Sequence, residues 1–189
     1  YSRYGKVYTD KISENDTYGR NFYLNQFYLN NIYSRDSLGT ERFENKAFIR
    51  LQPFAHDAVL SKIDGGIGYQ MLSIYSFDPS HYLSGNISER HNNLYVYAGV
   101  SGQYRKYLSW NADGKYTFAG HNLNDLDIGG KIRLSFYPIE DGIHITGRLR
   151  TTLKEPHPFH QKIYTNHHKW QNDFTKISDS RVEASLDIP

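Results

Sequence analysis

The chain has 189 residues, a mean hydropathy of −0.70 and 38% apolar side chains. That is room for one domain, and no run approaches the roughly eighteen apolar residues of a helical membrane span. A net charge of +2 makes no case for nucleic acid, and with no Cys no disulfide framework enters the argument. Seventeen Tyr and a 15% aromatic share favour β structure and side chains at home at interfaces.

In chain order, residues 1–9 read as a strand, and residues 10–40 as a long polar, aromatic-rich loop in which a short helix and irregular chain fit equally well. Alternation then sets in, with Phe43, Ala47, Ile49 and Leu51 opposite Arg42, Glu44, Lys46 and Arg50. Pro53 ends that strand because it cannot donate to a ladder, and residues 53–61 make a turn. The next strand sets Ile63, Gly65, Ile67, Tyr69 and Met71 against Lys62, Asp64, Gly66, Gly68 and Gln70. A polar loop over 77–92 follows.

Four strands of strict alternation come next, over 93–104, 108–118, 126–136 and 143–153. One face carries Leu94, Val96, Trp110, Phe118, Ile128, Ile132, Ile145 and Leu149; the other carries Asp113, Lys115, Lys131, Arg133, Arg148 and Arg150. Side chains of a strand point alternately to opposite faces, so each run has one apolar and one wet side. Residues 105–107 and 138–141 read as tight turns, 120–125 as a polar loop and 154–180 as a long one. A last strand sets Val182, Ala184, Leu186 and Ile188 opposite Arg181, Glu183, Ser185 and Asp187.

Runs of ten to twelve residues exceed the ordinary strand of about five or six and match the nine to eleven that cross a bilayer at a tilt. Aromatic residues cluster at the ends of the apolar faces, as in the girdles of an outer-membrane barrel. The expected fold is therefore all-β: an antiparallel up-and-down transmembrane β-barrel. Short turns on one side and long loops at 10–40, 77–92 and 154–180 on the other fit periplasmic turns and external loops. A soluble antiparallel β-sandwich, binding carbohydrate on exposed Tyr and Trp, is the alternative, since its strands also have one apolar face.

Eight strands are present, and a closed eight-stranded interior is just filled by side chains. The wet faces carry eleven cations, Arg105 at the end of its strand included, and six carboxylates, too many ions for so small a plug. A wider barrel with a water-filled lumen accommodates them, so the chain is expected to be one segment of a longer protein. The start, YSRYGKVYTD, without an apolar leader core, and the end, ASLDIP, without a closing aromatic, point the same way.

Several strings, LQPFAHDAVLSKIDGGIGYQMLSIYSFDPSHYL, YVYAGVSGQYRKYLSWNADGKYTFAGHNLNDLDIGGKIRLSFYP, TLKEPHPFHQKIYTNHHKWQNDF and RVEASLDIP, resemble the β-barrel porins of the Bacteroidetes outer membrane. The resemblance runs from about Arg35 to Pro189 and includes the loop element from Asn166 to Phe174. It implies a larger barrel in the outer membrane of a Gram-negative bacterium, and it carries over no catalytic residue.

Other chemistries are weaker fits. His157, His160, His167 and His168 could suggest zinc, but a structural site wants four ligands and a second shell, and only Asp173 stands nearby. Ser, His and Asp share wet faces (His144 with Thr146, Asp113 with Ser109), yet they point into a lumen where a lipid ester does not arrive. Gly65-Gly66-Ile67-Gly68 lacks the helix start and Lys-Ser/Thr of a phosphate loop; glycine there relieves crowding on a curved wall.

The expected function is passive diffusion of small hydrophilic solutes through a wet pore, with no enzyme activity, cofactor or metal. A non-conducting structural or secretion-accessory barrel shares the fold. The expected pore-lining residues are Arg42, Lys46, Arg50, Lys62, Lys115, Lys131, Arg133, Arg148, Arg150 and Arg181. Their excess of positive charge implies a weak preference for anions. The partners are outer-membrane lipid, lipopolysaccharide and the solutes; the oligomeric state is not legible.

Overall fold

The computed structural model describes residues 2–11, 33–52, 58–76, 88–138, 142–166 and 168–188. Its strands are β1 (Ser2–Lys11), β2 (Tyr33–Leu51), β3 (Lys62–Ser76), β4 (Ser88–Tyr104), β5 (Leu108–Gly120), β6 (Leu126–Phe136) and β7 (Ile143–Lys154). A short helix, α1 (Pro158–Gln161), and strands β8 (Lys162–Tyr164) and β9 (Lys169–Gln171) precede the last long strand, β10 (Ile177–Asp187). Eight strands form one up-and-down antiparallel sheet in the order β1-β2-β3-β4-β5-β6-β7-β10, and β8 pairs only with β9.

Two compact units divide the chain: Tyr1–Glu44, Met71–Asn92 and Pro156–Thr175 in one, and Asn45–Gln70, Asn93–Glu155 and Lys176–Pro189 in the other. The second unit contains the alternating strands, and its cross-strand register keeps like with like. Val100, Ala112, Gly130, Leu149 and Val182 are successive partners across β4, β5, β6, β7 and β10, as are Ser101, Asn111, Lys131, Arg148 and Glu183. A slip of one residue would exchange the two faces, so the alternation itself sets the pairing.

The apolar face is uncovered. Ile49 is 71% exposed and Val182 78%, and Ile128, Ile132, Phe136 and Leu149 are exposed as well. Among the described residues the only buried hydrophobic side chains are Ile74 and Tyr95. A sandwich would bury that face against a second sheet; this sheet presents it outward. Ten steps from Leu108 to Phe118 rise roughly 33 Å along a strand. At a tilt of about 40° that leaves roughly 25 Å of height, the thickness of a lipid-facing apolar band.

The turns are chemically specified. Tyr107 N–H donates to the Tyr104 carbonyl at 3.2 Å, closing the short β4–β5 turn, where Arg105 takes φ +47. Arg105 thus lies in a turn, not on the wet face of a strand. Asn124 takes φ 65 in the β5–β6 turn, a conformation Asn tolerates better than most residues. Beyond the β2–β3 turn, Ser61 N–H donates to the Ser101 carbonyl and Gln103 N–H to the Ala58 carbonyl, so residues 58–61 run along the end of β4.

In the first unit β1 pairs with the start of β2, from Ser2 opposite Arg42 to Lys11 opposite Tyr33. The expected boundaries shift here. β2 begins at Tyr33, β4 at Ser88 and β10 at Ile177, all inside segments expected to be loops. YSRDSLGTE and SERHN have no apolar alternation because a strand standing in water needs none; backbone pairing holds it. The helix-or-loop question over 10–40 and the 77–92 loop fall on residues 12–32 and 77–87, outside the described residues.

The 154–180 segment is structured too. His157 caps α1, accepting the Phe159 N–H at its Nδ1 (3.3 Å), with Pro158 at the first helical position. A hairpin follows, pairing Ile163 with Trp170 and closed by Thr165 N–H on the His168 carbonyl at 2.8 Å. Asn166 is buried at its tip. The loop element of the resemblance therefore includes the second strand of a small hairpin.

Candidate functional site

The wet face of the second unit is a wall of register rows. From the β4–β5 turn upward they are Gln103-Ser109-Arg133-Thr146-Ser185, then Ser101-Asn111-Lys131-Arg148-Glu183, then Gly99-Asp113-Gly129-Arg150-Arg181, then Tyr97-Lys115-Asp127-Thr152-Asp179. Nine of the ten expected residues lie in this unit; Arg42 lies in the other, where it pairs with Glu44 at 2.9 Å.

Among the described residues six of the wall's cations have ion-pair partners, four of them on a neighbouring strand. Asp64 holds Arg50 at 2.7 Å and Lys62 at 3.0 Å. Asp127 holds Arg150 at 2.8 Å and Lys154 at 2.9 Å, Glu183 holds Arg148 at 3.5 Å, and Arg181 reaches Asp179 at 3.6 Å. The strand that carries Arg148 and Arg150 has no carboxylate on this face, yet β6 and β10 supply them. Lys131 and Arg133 have no ion-pair partner among the described residues.

Aromatic side chains share the wall, which alternation alone does not single out. The Tyr95 ring is 1% exposed, with Lys115 Nζ 3.7 Å from its centroid and Lys46 Nζ at 6.0 Å. Lys46 also stands 5.9 Å from Tyr97. Such placements attract a cation to the ring face. A Cβ at Gly68 would run into the Tyr95 ring, and one at Gly66 into the Ala47 carbonyl and Phe48. Gly68 thus makes room for a tyrosine laid on the wall, and Gly66 for the close approach of β2. Lys154 and Asp179 also belong to the wall and are absent from the expected set, although extending the period of two past Thr152 and before Arg181 reaches both.

Two recesses open on this face. One of about 570 Å³ is lined by residues including Lys62, Ser101, Gln103, Ser109, Asn111 and Lys131. A smaller one of about 290 Å³ includes Asp113, Lys131, Arg148, Arg150, Arg181 and Glu183. On the opposite face Trp110 donates its indole N–H to the Val59 carbonyl at 2.8 Å, so a large aromatic on the apolar face has its polar atom satisfied.

The catalytic and metal alternatives gain little. His144 Nδ1 lies 2.9 Å from Ser135 Oγ, a pairing that register creates and sequence spacing does not show. Asp187 is the register partner of His144 on the other side, but no hydrogen bond joins them. His157 and His160 ring centroids are 6.2 Å apart; His167 lies outside the described residues. Among the described residues no group of three His, Cys, Asp or Glu could hold a metal ion.

A protein-family model described as "Putative porin" matches residues 1–189, the whole chain. The chain belongs to this porin family. The match includes the first 34 residues, which the resemblance does not reach. Membership gives the protein a porin-like outer-membrane role of a transport type, in keeping with an all-β sheet that is apolar on one side and charged on the other. Comparison with curated proteins and with solved structures returns no match.

Proposed function

We infer that this porin chain forms part of the wall of a water-filled pore in the outer membrane of a Gram-negative bacterium, through which small hydrophilic solutes diffuse passively. The observation that carries this is the two-sidedness of one sheet. Ile128, Ile132, Leu149 and Val182 are exposed on one face, while Lys131, Arg148 and Arg150 stand on the other, bordering open recesses. Lipid suits the first face and water the second. Outer-membrane lipid and lipopolysaccharide are the partners of the apolar band, and the turn at Arg105–Tyr107 faces the periplasm.

The cations of the wall, Lys131 and Arg133 above all, favour weak anion selectivity, since lining charge sets which sign of ion passes more easily. Insertion of the full-length protein into planar bilayers tests the reading. The expected result is ohmic single-channel steps with a reversal potential on the anion side under a salt gradient. A protein that stays soluble and monomeric without detergent would overturn the barrel; one that inserts but never conducts would leave a structural or secretion-accessory barrel.

A further inference from the structure

We propose that the larger recess is a binding subsite for a small hydroxylated oxyanion, a solute carrying one phosphate or carboxylate group. This rests on the pore reading above and deepens it, turning a diffuse excess of charge into a discrete site. The recess is built by two adjacent register rows: Gln103 beside Ser109, and Ser101 beside Asn111 beside Lys131. Side chains of one row on one face stand about 5 Å apart, so their donors converge. Lys62 enters from β3.

The chemistry of the lining selects the ligand. Among the described residues that line the recess there are two ammonium groups, amides and hydroxyls, and no carboxylate. Lys62 is shared with Asp64 at 3.0 Å, whereas Lys131 has no ion-pair partner among the described residues and is only half-exposed. A charge-assisted hydrogen bond to an incoming oxyanion gives it one. The Ser and Asn groups, each able to donate and accept, suit the hydroxyls of the same solute. At about 570 Å³ the space is within the range of small-molecule sites. Its floor is held by backbone: residues 58–61 are hydrogen-bonded along β4, and a Cβ at Gly102 would strike the Val59 carbonyl.

Equilibrium dialysis supplies the test. The full-length protein in detergent is dialysed against radiolabelled glucose 6-phosphate at fixed ionic strength. The expected result is saturable binding whose midpoint rises about tenfold in Lys131→Gln, the loss of about one strong hydrogen bond. Lys169→Gln, on β9 and outside the wall, leaves the midpoint in place. No saturable binding, equal competition by sodium chloride, or a midpoint unmoved by Lys131→Gln overturns the subsite.

Isothermal titration calorimetry of Lys131→Met with the same sugar phosphate decides the same question if Lys131→Gln does not fold. The two readings separate cleanly. Anion-selective current without saturable binding sinks the subsite and leaves the pore, whereas saturable, Lys131-dependent binding in a protein that carries no current keeps the subsite and removes the pore.

Discussion

Adjacent residues on β6 meet opposite solvents, and that makes the phase of the strand testable one residue at a time. Ile132 sits at the middle of the apolar face, opposite Trp110 and Gly147, while Arg133 faces the recessed wall. Ile132→Arg places a cation near the bilayer midplane and is expected to destabilise the inserted protein by about 2–4 kcal/mol; Arg133→Gln is expected to change little. Refolding into lipid vesicles under urea measures both, and equal losses would mean the faces are reversed. Gly68 is a second single-residue test. Any side chain there collides with the buried Tyr95 ring, so Gly68→Val is expected to lower stability by about 1–3 kcal/mol in the same assay. The surface ion pairs, by contrast, contribute little: the Arg148–Glu183 pair is half in water on both sides, and such pairs are worth about 0–1 kcal/mol.

At the scale of elements, the excursion between β7 and β10 is tied down at its base. Lys176 Nζ donates to Asp125 Oδ1 and Glu155 Oε2, and Glu155 N–H donates to the same Asp125 oxygen. Burial pushes the Lys176 ammonium down, but the two carboxylates outweigh it and leave its pKa above the ordinary value. Its contribution is therefore full at neutral pH and lost only above about pH 10.5. Lys176→Met removes the ammonium that two half-buried carboxylates share and is expected to cost about 1–3 kcal/mol, read as faster hydrogen exchange at the start of β10. Within the excursion, burial and then the neighbouring His160 hold His157 below its ordinary pKa. Burial penalises the protonated form, so the capped turn is most stable above about pH 6.5 and weakens as pH falls toward the lowered value. Hydrogen exchange at Phe159 is expected to quicken between pH 7 and 5, and His157→Asn, which keeps an acceptor without titrating, is expected to abolish that dependence. These elements also mark where sequence reading stops. The apolar alternation of β4 to β7 exposes the strands and both faces, because lipid on one side and water on the other impose a period of two. Ser88–Asn92 and Tyr33–Glu41 carry no such contrast, so in sequence they look like loop. The site is legible as charges on a face; that β6 and β10 bring Asp127 and Glu183 to Arg150 and Arg148 depends on register, which no single strand displays.

For the whole molecule the question is whether so many paired charges still bias ion traffic. Arg105 leaves the wall for a turn, and Lys154 and Asp179 join it, which trims the excess of cations by one charge. The remainder is unevenly placed. The rows nearest the Arg105–Tyr107 turn hold Arg133, Lys131 and Arg148 against Glu183 and Asp187, and there Lys131 and Arg133 are outside every ion pair among the described residues. That end of the pore therefore keeps cations that pairing does not neutralise. Replacing Arg148 and Arg150 by Gln removes two charges: Asp127 keeps Lys154, while Glu183 loses its partner on β7. The wall should then swing toward neutrality, and the anion preference of the full-length pore is expected to fall or reverse. The effect should be largest near 0.1 M salt, where the screening length is about 10 Å, and nearly gone at 1 M, where it is about 3 Å. Reversal potentials in planar bilayers at both concentrations decide it: a cation preference in the parent, or a preference that the double substitution leaves unmoved at 0.1 M, would show that this wall does not set the pore's selectivity.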